Sequence, residues 1–314
     1  MSVYTSLSRT EIESVLSRFH LSQLIRYSGI SAGIENTNYL IQTAQGDFVL
    51  TLYEHFAVTE IKQYLNLLGQ LAEHASYYPL PLADTQHQYL QRIAEKPAAL
   101  FACLPGKSVE YPSHAQLKAV AEALARFHQH SSNLTFNKMN PRNMQWMQES
   151  ALQVSPDLSE QDAKLLDDEL SYQRQYTTLH LPQGIIHADL FKDNVLFAGD
   201  SLTAMLDFYV ACRDCYLLDI AIALNDWCVD QNGQYSYVQH RVFIAAYQQV
   251  RVLDQQEENY LPVLLRRACL RFWLSRLEHK LNPREGEMTQ EKDPQFFKKL
   301  LLQHRQFNSQ QETS

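Results

Sequence analysis

The sequence has no run of about 18 uninterrupted apolar residues, which is the length that a membrane-spanning helix needs. Its opening stretch, MSVYTSLSRTEIESVLSRF, also lacks the basic segment and the apolar core of a secretory signal. Both absences argue against an integral membrane protein and against a secreted one. We therefore expect a cytoplasmic protein.

Cysteine is scarce, with five residues spread widely along the chain. An odd and scattered set argues against a disulfide framework and predicts buried thiols that stay reduced. Only Cys212 and Cys215, in CRDC, have a spacing typical of metal or redox sites. The second close pair of Cys or His that a structural zinc site needs is missing, so metal binding there is the less favoured interpretation.

Positive charge is also in short supply, because 27 Lys and Arg face 35 Asp and Glu for a formal net charge of -8. A protein that coats nucleic acid or an anionic membrane draws on excess Lys and Arg to replace counterions, so neither partner is expected. A nucleotide needs only a local cluster of donors and is not excluded. With 314 residues and 45% hydrophobic content, the chain can bury a large core in one or two lobes.

Hydrophobic periodicity divides the chain into two parts of different character. The first contains a helix with a capping box at Ser8 and Glu11, a hairpin of Tyr39–Thr43 with Phe48–Tyr53, and short apolar runs up to Leu104. The second has another capping box at Ser113, a helix predicted from Leu158 to Leu179 and helical periodicity from Leu217 onward. We therefore predict an α+β protein with a small β-rich N-terminal lobe (residues 1–104) and a larger helical C-terminal lobe (residues 105–314).

The stretch GIIHADLFKDNVLF, residues 184–197, interrupts the helical part with a strand, a polar loop and a second strand. Asp189 and Asn194 lie five positions apart in it, and the apolar run that follows the turn AGDS ends at Asp207. Because the two strands around the turn are predicted to pair as a hairpin, Asn194 and Asp207 fall at the same end of it. Three oxygen-bearing side chains are thus predicted to converge.

Phosphoryl transfer from a nucleotide uses this set of groups. One carboxylate orients the attacking hydroxyl, while an amide oxygen and a second carboxylate hold Mg²⁺ against the phosphates. Kinases have the same D-x-x-x-x-N spacing and a later Asp-Phe, here Asp207 and Phe208. The alternative is that Asp189 and Asn194 cap turns and Asp207 marks a strand end. His187 is predicted to brace the loop.

A phosphate-covering loop is predicted just before the hairpin of the first part, in SAGIENTN, residues 31–38. It contains only Gly33 and so is no G-x-G-x-x-G, but Ser31, Asn36 and Thr37 offer polar donors. An ordinary turn is the alternative interpretation.

Taken together, these segments resemble the homoserine kinases of the aminoglycoside-phosphotransferase-like (protein-kinase-like) fold family. The resemblance covers roughly residues 5–305 and is carried by the following blocks in order: GISAGIENTNYLIQT, FVLTLYE, KPAALFACLPGKS, HADLFKDNVLF, LDFYVACRDCYLLDIAIALNDWC and RRACLRFWLSRL. It implies a bilobal fold with a hinge near residues 100–106, and ATP and Mg²⁺ as cofactors. It also implies L-homoserine as the substrate, in threonine biosynthesis, and leaves the oligomeric state open.

Residue by residue, the resemblance implies that Asp189 acts on the substrate hydroxyl, that Asn194 and Asp207 bind Mg²⁺, and that Asp219 braces the catalytic loop. The predicted nucleotide-binding residues are Ser31, Gly33, Asn36, Thr37, Thr51, Ala102, Leu104 and Lys192. Thr51 stands where kinase-like folds usually carry a Lys or Arg on the third strand, so a cation must come from elsewhere. Lys192 is the preferred candidate, and Lys62 and Arg92 are poorer ones.

Homoserine carries a carboxylate, which calls for an Arg, and an ammonium, which calls for a carboxylate or carbonyl groups. Arg267 and Arg271 lie four apart on one predicted helix, and Arg271 is the preferred carboxylate partner, although a solvated helix face is the alternative. The other substrate candidates are Glu35, Tyr209 and Asp214.

Two other functions remain open. The same fold could act on another small alcohol such as choline, methylthioribose or an aminoglycoside, and the last would call for an acidic mouth on the helical lobe. The missing strand lysine also allows a catalytically silent nucleotide-binding module.

Overall fold

The computed structural model describes residues 4–21, 23–30, 36–176, 180–281 and 293–312, with side chains described as far as Phe307. The chain forms two compact units. The N-terminal unit contains the described residues up to Gly106 together with Thr203–Tyr209, and the C-terminal unit contains the others. None of the described helices combines the length and the apolar character needed to cross a membrane.

The N-terminal unit is built on a five-stranded antiparallel sheet. Its elements are α1 (Arg9–Ser17), β1 (Leu24–Ile30), β2 (Asn36–Thr43), β3 (Gly46–Tyr53), α2 (Val58–Ala72), β4 (Gln91–Ile93) and β5 (Lys96–Ala102). The strands are ordered β1-β2-β3-β5-β4. The capping box of α1 and the β2–β3 hairpin are confirmed. Strand β1 was not predicted, because only Leu24 in it is buried and no apolar alternation marks it.

One face of this sheet forms the core of the N-terminal unit. Side chains alternate between faces along a strand, and directly paired residues of neighbouring strands share a face. Tyr39 and Ile41 of β2, Leu50 of β3 and Leu100 of β5 therefore lie on one side, and all are buried in a cluster with the apolar stripe of α1. The opposite face of β2 and β3 points away from this core cluster.

The C-terminal unit is mostly helical, and with the sheet of the N-terminal unit it confirms the α+β class. Its elements are α3 (His114–His130), α4 (Met144–Val154), α5 (Glu160–Arg174), β6 (Gln183–Ile186), β7 (Val195–Ala198), β8 (Ser201–Met205), β9 (Cys212–Cys215), α6 (Tyr216–Trp227), α7 (Tyr237–Gln248), α8 (Gln255–Leu281) and α9 (Pro294–Glu312). Strand β8 begins in this unit, and its residues Thr203–Met205 belong to the N-terminal unit. The capping box of α3 is confirmed. Helix α5, capped by Ser159, ends at Arg174, earlier than predicted. Helix α4 was not predicted.

Two short strand pairs hold the loop that carries the motif of residues 184–197. Strands β7 and β8 pair as predicted, whereas β6 pairs with β9, which sequence patterns did not indicate. Gly184 is required in β6, because a Cβ there would meet the Tyr216 hydroxyl at 2.0 Å. The chain therefore enters and leaves the loop from fixed strand ends.

The CRDC segment is strand β9. Cys212 and Cys215 are paired in register with Ile186 and Gln183, and both thiols are buried and free. Burial raises the pKa of each of these thiols to about 12. Both therefore stay protonated near neutral pH, which does not suit thiolate chemistry.

Candidate active site

The loop after β6 begins with a strained backbone that a buried carboxylate supports. Ala188 has φ 66°, a left-handed conformation that a residue with a Cβ rarely adopts. Asp219 of α6 accepts the backbone N–H groups of His187, at 2.7 Å, and of Ala188, at 2.8 Å. These two charge-assisted hydrogen bonds hold the strained turn in place, which confirms Asp219 as the brace of the loop.

Asp219 is itself fixed by a buried network. Its Oδ2 lies 3.0 Å from Nε2 of His128, whose Nδ1 lies 2.7 Å from the Tyr247 hydroxyl. Burial alone would raise the pKa of Asp219, but the hydrogen bonds and positive ends of His128 and His187 outweigh it and lower that pKa. Asp219 is therefore ionised inside the protein, and the described groups that form hydrogen bonds with its carboxylate act as donors.

We expect Asp219→Asn to lower the free energy of unfolding by about 3 kcal/mol, because an amide nitrogen would face donors in a buried site. The difference between wild type and variant, measured by urea unfolding, should be largest above about pH 4 and narrow at lower pH. The reason is that a carboxylate with a lowered pKa contributes its stability above the ordinary value and loses it as the pH falls through the folded value. Asp230→Asn is the control.

Asp230 also accepts two backbone N–H groups, from Asn232 and Gln234, but it is exposed. Its substitution should cost less than about 1 kcal/mol, since solvent replaces the lost bonds. Equal losses in the two variants would contradict the bracing role of Asp219.

Asp189 and Asn194 meet at the centre of the loop. The Asn194 Nδ2 group donates to the backbone oxygen of Asp189 at 2.8 Å and to its Oδ2 at 3.3 Å. The N–H of Asp189 donates to Nδ1 of His187 at 3.3 Å, which places the proton of that buried imidazole on Nε2. His187 thus braces the loop as predicted. Because both donor contacts of Asn194 go to Asp189, its Oδ1 is directed elsewhere.

The rest of the loop is tied to α6. Trp227 donates its Nε1–H to the carbonyl of Leu190 at 2.8 Å, and the N–H of Lys192 donates to Asp226 at 2.7 Å. The Lys192 side chain is half-buried, and its ammonium makes no ion pair with the residues described here. The loop therefore presents Asp189, Asn194 and Lys192 from a fixed backbone.

Asp207 follows β8 and belongs to the N-terminal unit. Its side chain is exposed, and its φ is 62°. Like Ala188, Asp207 is therefore a non-glycine residue in the left-handed conformation. Its neighbour Tyr209 packs edge-on against Tyr53, with ring centroids 5.5 Å apart, and against Tyr64 at 6.2 Å. Tyr209, predicted as a substrate candidate, thus lies in an aromatic cluster of the N-terminal unit.

The face of β2 and β3 opposite the core changes from apolar to polar along its length. Leu40 is paired with Val49, and both are half-buried. Asn38 is paired with Thr51, whose hydroxyl donates to the Asn38 Oδ1 at 2.7 Å. The next pair on this face is Asn36 and Tyr53, and the buried Asn36 Oδ1 has no hydrogen-bond partner among the described residues. This polar end is where β2 begins.

Several predicted nucleotide-binding residues lie elsewhere. Thr37 is on the core face, where its hydroxyl donates to Glu54 at 2.7 Å and accepts the N–H of Tyr4 at 2.9 Å. We therefore assign it a structural role. Ala102 ends β5 and is paired with Phe48, and Leu104 follows in the segment after that strand. Ser31, Gly33 and Glu35 lie outside the described residues.

The two weaker candidates for the missing cation line a cavity in the N-terminal unit. Lys62 and Arg92 border this space of about 590 Å³, together with Arg18 and Asp84. Arg92 also pairs with Glu95 at 2.7 Å. None of the predicted catalytic or metal-binding residues lines this cavity. We therefore do not include Lys62 or Arg92 among the site residues.

Arg271 is the best placed of the predicted substrate residues. It is buried in α8, and its Nη1 has no hydrogen-bond partner among the described residues. Burial lowers the pKa of this guanidinium, while the negative charges of Asp189 and Asp214 act in the opposite direction. Arg267, one turn earlier, instead donates to the side chain of Gln173 at 2.9 Å. The Arg271 guanidinium lies over the ring of Phe272, which packs against Phe191 of the loop with ring centroids 4.8 Å apart, so the unsatisfied buried cation lies near this loop.

Sequence reasoning missed two residues near this site. Asn140 lies in the loop before α4 and donates to Asp214 at 2.6 Å. Arg276 donates to the carbonyl of Asp293 at 2.8 Å, and burial lowers its pKa to about 10 against the opposing charges of Asp226 and other carboxylates. The turn-forming NPRN, residues 140–143, was the available signal for the first, and the arginine-rich face of α8 was the signal for the second.

Comparison with known sequences identifies the family to which this chain is similar. The model of the phosphotransferase enzyme family, APH, matches residues 26–253. A homoserine kinase of Methylobacillus flagellatus is 40% identical over 301 residues, which cover 96% of this chain and 94% of that relative. A homoserine kinase of Neisseria meningitidis serogroup B is 38% identical over 302 residues, which cover 96% and 99%.

Comparison with solved structures supports the same fold. An amicoumacin kinase in complex with AMP-PNP, Ca²⁺ and Ami has a TM-score of 0.71 at 15% identity, covering 94% of this chain and 93% of that one. A spectinomycin phosphotransferase in complex with ADP and spectinomycin has a TM-score of 0.71 at 11% identity, covering 96% and 98%. These likenesses confirm the kinase-like α+β fold. The chain therefore belongs to the APH phosphotransferase enzyme family and, within it, to the homoserine kinase family.

Proposed function

We propose that this protein transfers the γ-phosphoryl group of ATP to the hydroxyl of L-homoserine and forms O-phospho-L-homoserine. The observation that carries the reaction type is the Asp189–Asn194 pair, held in a loop that a buried carboxylate braces. The relatives named homoserine kinase, at 38–40% identity over nearly the full chain, support the substrate. Residues 1–104 would mainly bind the nucleotide, and residues 105–314 would carry catalysis and substrate recognition.

Asp189 is the proposed catalytic residue. Its carboxylate would accept the hydrogen bond of the substrate hydroxyl and take its proton as the oxygen attacks the γ-phosphorus. Asn194 and His187 fix its orientation through the side chain and the backbone. Phosphoryl transfer asks mainly for alignment and charge neutralisation, so a carboxylate that cannot rotate away is the main requirement.

Asn194 and Asp207 are the proposed ligands of a divalent ion, for which we propose Mg²⁺. They fit a hard cation, because both offer oxygen atoms and the hydrogen bonds of the Asn194 Nδ2 leave its Oδ1 as the coordinating atom. When bound, the ion would neutralise part of the charge on the phosphates of ATP. The half-buried Lys192 is the proposed protein cation that compensates for Thr51.

The face of β2 and β3 described above is the proposed nucleotide surface. Leu40 and Val49 would cover the adenine ring, and backbone groups between Ala99 and Leu104, including those of Ala102, would contact its edge. Asn36 and Thr51 lie further along the same face, in its polar part. The order of apolar and then polar groups matches a nucleotide that runs from base to phosphates.

Arg271 is the proposed partner of the homoserine carboxylate. A buried guanidinium with an unsatisfied nitrogen is costly unless an anion completes its hydrogen bonds, and its planar fork suits a carboxylate. Because Arg271 is linked to the catalytic loop through the rings of Phe272 and Phe191, an amino acid held there would also reach that loop. An exposed helix face, the alternative for this arginine, does not agree with its burial.

We expect Arg271→Met to raise the KM for L-homoserine about 100-fold and to leave the KM for ATP within about 3-fold, since only one substrate loses a buried charge partner. Arg267→Met is the matched control. This second arginine of α8 is half-buried and already has protein partners, so its loss should lower thermal stability without a selective effect on homoserine. A KM for homoserine that is unchanged in Arg271→Met would contradict the assignment.

The test of the proposed function is a coupled ADP-release assay over hydroxy-amino acids, choline, methylthioribose and aminoglycosides, with and without Mg²⁺. We expect the highest kcat/KM for L-homoserine and no turnover without a divalent ion. A higher value for another alcohol would reassign the substrate. Flat rates on all compounds, with measurable ATP affinity, would support a catalytically silent module.

A further inference from the structure

The loop before α4 is joined to strand β9 and also to α8, where Arg142 Nη1 donates to the Oγ of Ser275, one turn after Arg271, at 3.4 Å. The N–H of Arg213 donates to the carbonyl of Lys138 at 2.7 Å, and the N–H of Asn140 donates back to the carbonyl of Arg213 at 3.2 Å. Asn140 is only 5% exposed, and its Oδ1 accepts the N–H of Arg142 at 2.8 Å. Its amide orientation is therefore fixed, with Nδ2 as the group that points to Asp214.

The Asp214 carboxylate is held by two hydrogen-bond donors. Its Oδ1 accepts the N–H of Cys215 at 2.7 Å, and its Oδ2 accepts the Asn140 Nδ2 at 2.6 Å. The carboxylate is half-buried, and no basic side chain among the described residues forms an ion pair with it. Its charge nevertheless acts on the guanidinium groups of Arg267 and Arg271. Through Asn140 and the Arg142–Ser275 contact, this fixed, half-buried carboxylate lies close to the turn of α8 that follows the proposed carboxylate-binding arginine.

We propose that Asp214, positioned by Asn140, binds the α-ammonium group of the substrate, so that Asp214 and Arg271 together select an α-amino acid. This inference rests on the proposed function. The two charges of an α-amino acid are carried by groups on one carbon atom, and an anion and a cation fixed near each other recognise them as a pair. Hydroxy acids without the amine would leave the Asp214 carboxylate without its partner.

The test compares L-homoserine with 4-hydroxybutanoate, which lacks the amine, in wild type and in Asp214→Asn. Wild type should prefer L-homoserine in kcat/KM, and the variant should lose about 10- to 100-fold on L-homoserine alone, as for a charge-assisted hydrogen bond. Values for 4-hydroxybutanoate should not fall, because that substrate has no ammonium group for the carboxylate to bind. Parallel losses on both compounds, or an unchanged ratio, would overturn the inference.

Asn140→Asp gives a second readout that a purely structural role would not move. It places a carboxylate against the Asp214 Oδ2, so the two groups should share a proton and the pKa of one should rise. Only the protonated form of the introduced carboxyl can donate to the Asp214 Oδ2 as the amide of Asn140 does. The KM for L-homoserine should therefore fall as the pH is lowered and this form becomes populated, whereas wild type should show no such dependence. A pH profile parallel to wild type would overturn the positioning role of Asn140. Failure of wild type to phosphorylate L-homoserine at all would instead overturn the proposed function.

Discussion

Asp189→Asn should lower kcat with L-homoserine about 1,000-fold or more, while the dissociation constant for ATP stays within about 3-fold. The amide has nearly the same shape and can keep its contact with Asn194, but it cannot take a proton from the hydroxyl. Nucleotide binding should survive because the proposed nucleotide surface lies on β2 and β3. Steady-state kinetics and calorimetric titration with AMP-PNP measure the two effects separately.

Asp193→Asn is the matched control for this prediction. Asp193 lies in the same loop, four positions after Asp189, and its side chain is exposed. Its substitution should change kcat by less than about 2-fold, since water solvates the exposed carboxylate and the amide equally well. Near-normal turnover of Asp189→Asn would remove this residue from the role of the base.

Asp207→Asn should lower kcat by about 1,000-fold at ordinary Mg²⁺ concentrations, because the proposed ion loses its charged protein ligand. Asparagine is the informative substitution here. Asp207 has φ 62°, and asparagine tolerates that left-handed conformation at least as well as aspartate does, so the backbone should not move. The effect on activity then measures the charge alone.

Raising the Mg²⁺ concentration should restore part of the activity of Asp207→Asn, since a weakened site fills by mass action. Asp200→Asn serves as the control, because Asp200 lies in the turn of the same hairpin and accepts a hydrogen bond from Ser113 at 2.8 Å. It should keep the Mg²⁺ dependence of wild type. An Asp207→Asn enzyme with unchanged activity and unchanged Mg²⁺ dependence would rule out the metal role.

Local patterns predicted a large part of the fold. The capping boxes at Ser8 and Ser113 depend on residues three positions apart, and the β2–β3 hairpin depends on its turn. The motif of residues 184–197 was also readable, because the contacts of Asp189 with His187 and Asn194 span at most five positions. A site whose residues lie close together in the sequence can be predicted from that short segment alone.

Contacts between distant segments could not be predicted in this way. Asn140 and Asp214 are 74 positions apart, and they meet because the backbone of residues 138–140 bonds to Arg213 of β9. The contacts of the Thr37 side chain could not be predicted for a related reason. Its polar side chain suggested a phosphate loop, but strand alternation directs it to Glu54 on the core face, whereas its neighbour Asn36 takes the other face. A shift of one position along a strand reverses the role of a side chain.

The central proposal is that Asn194 and Asp207 bind one divalent ion next to the nucleotide. Electron paramagnetic resonance of Mn²⁺ titrated in the presence of AMP-PNP tests it most directly, in wild type, Asn194→Ala, Asp207→Asn and the double variant. We predict that each single substitution weakens Mn²⁺ binding about 10- to 100-fold and that the double variant loses less than the product, because both residues contact the same ion. Mn²⁺ affinity that is unchanged in either single variant would contradict the account.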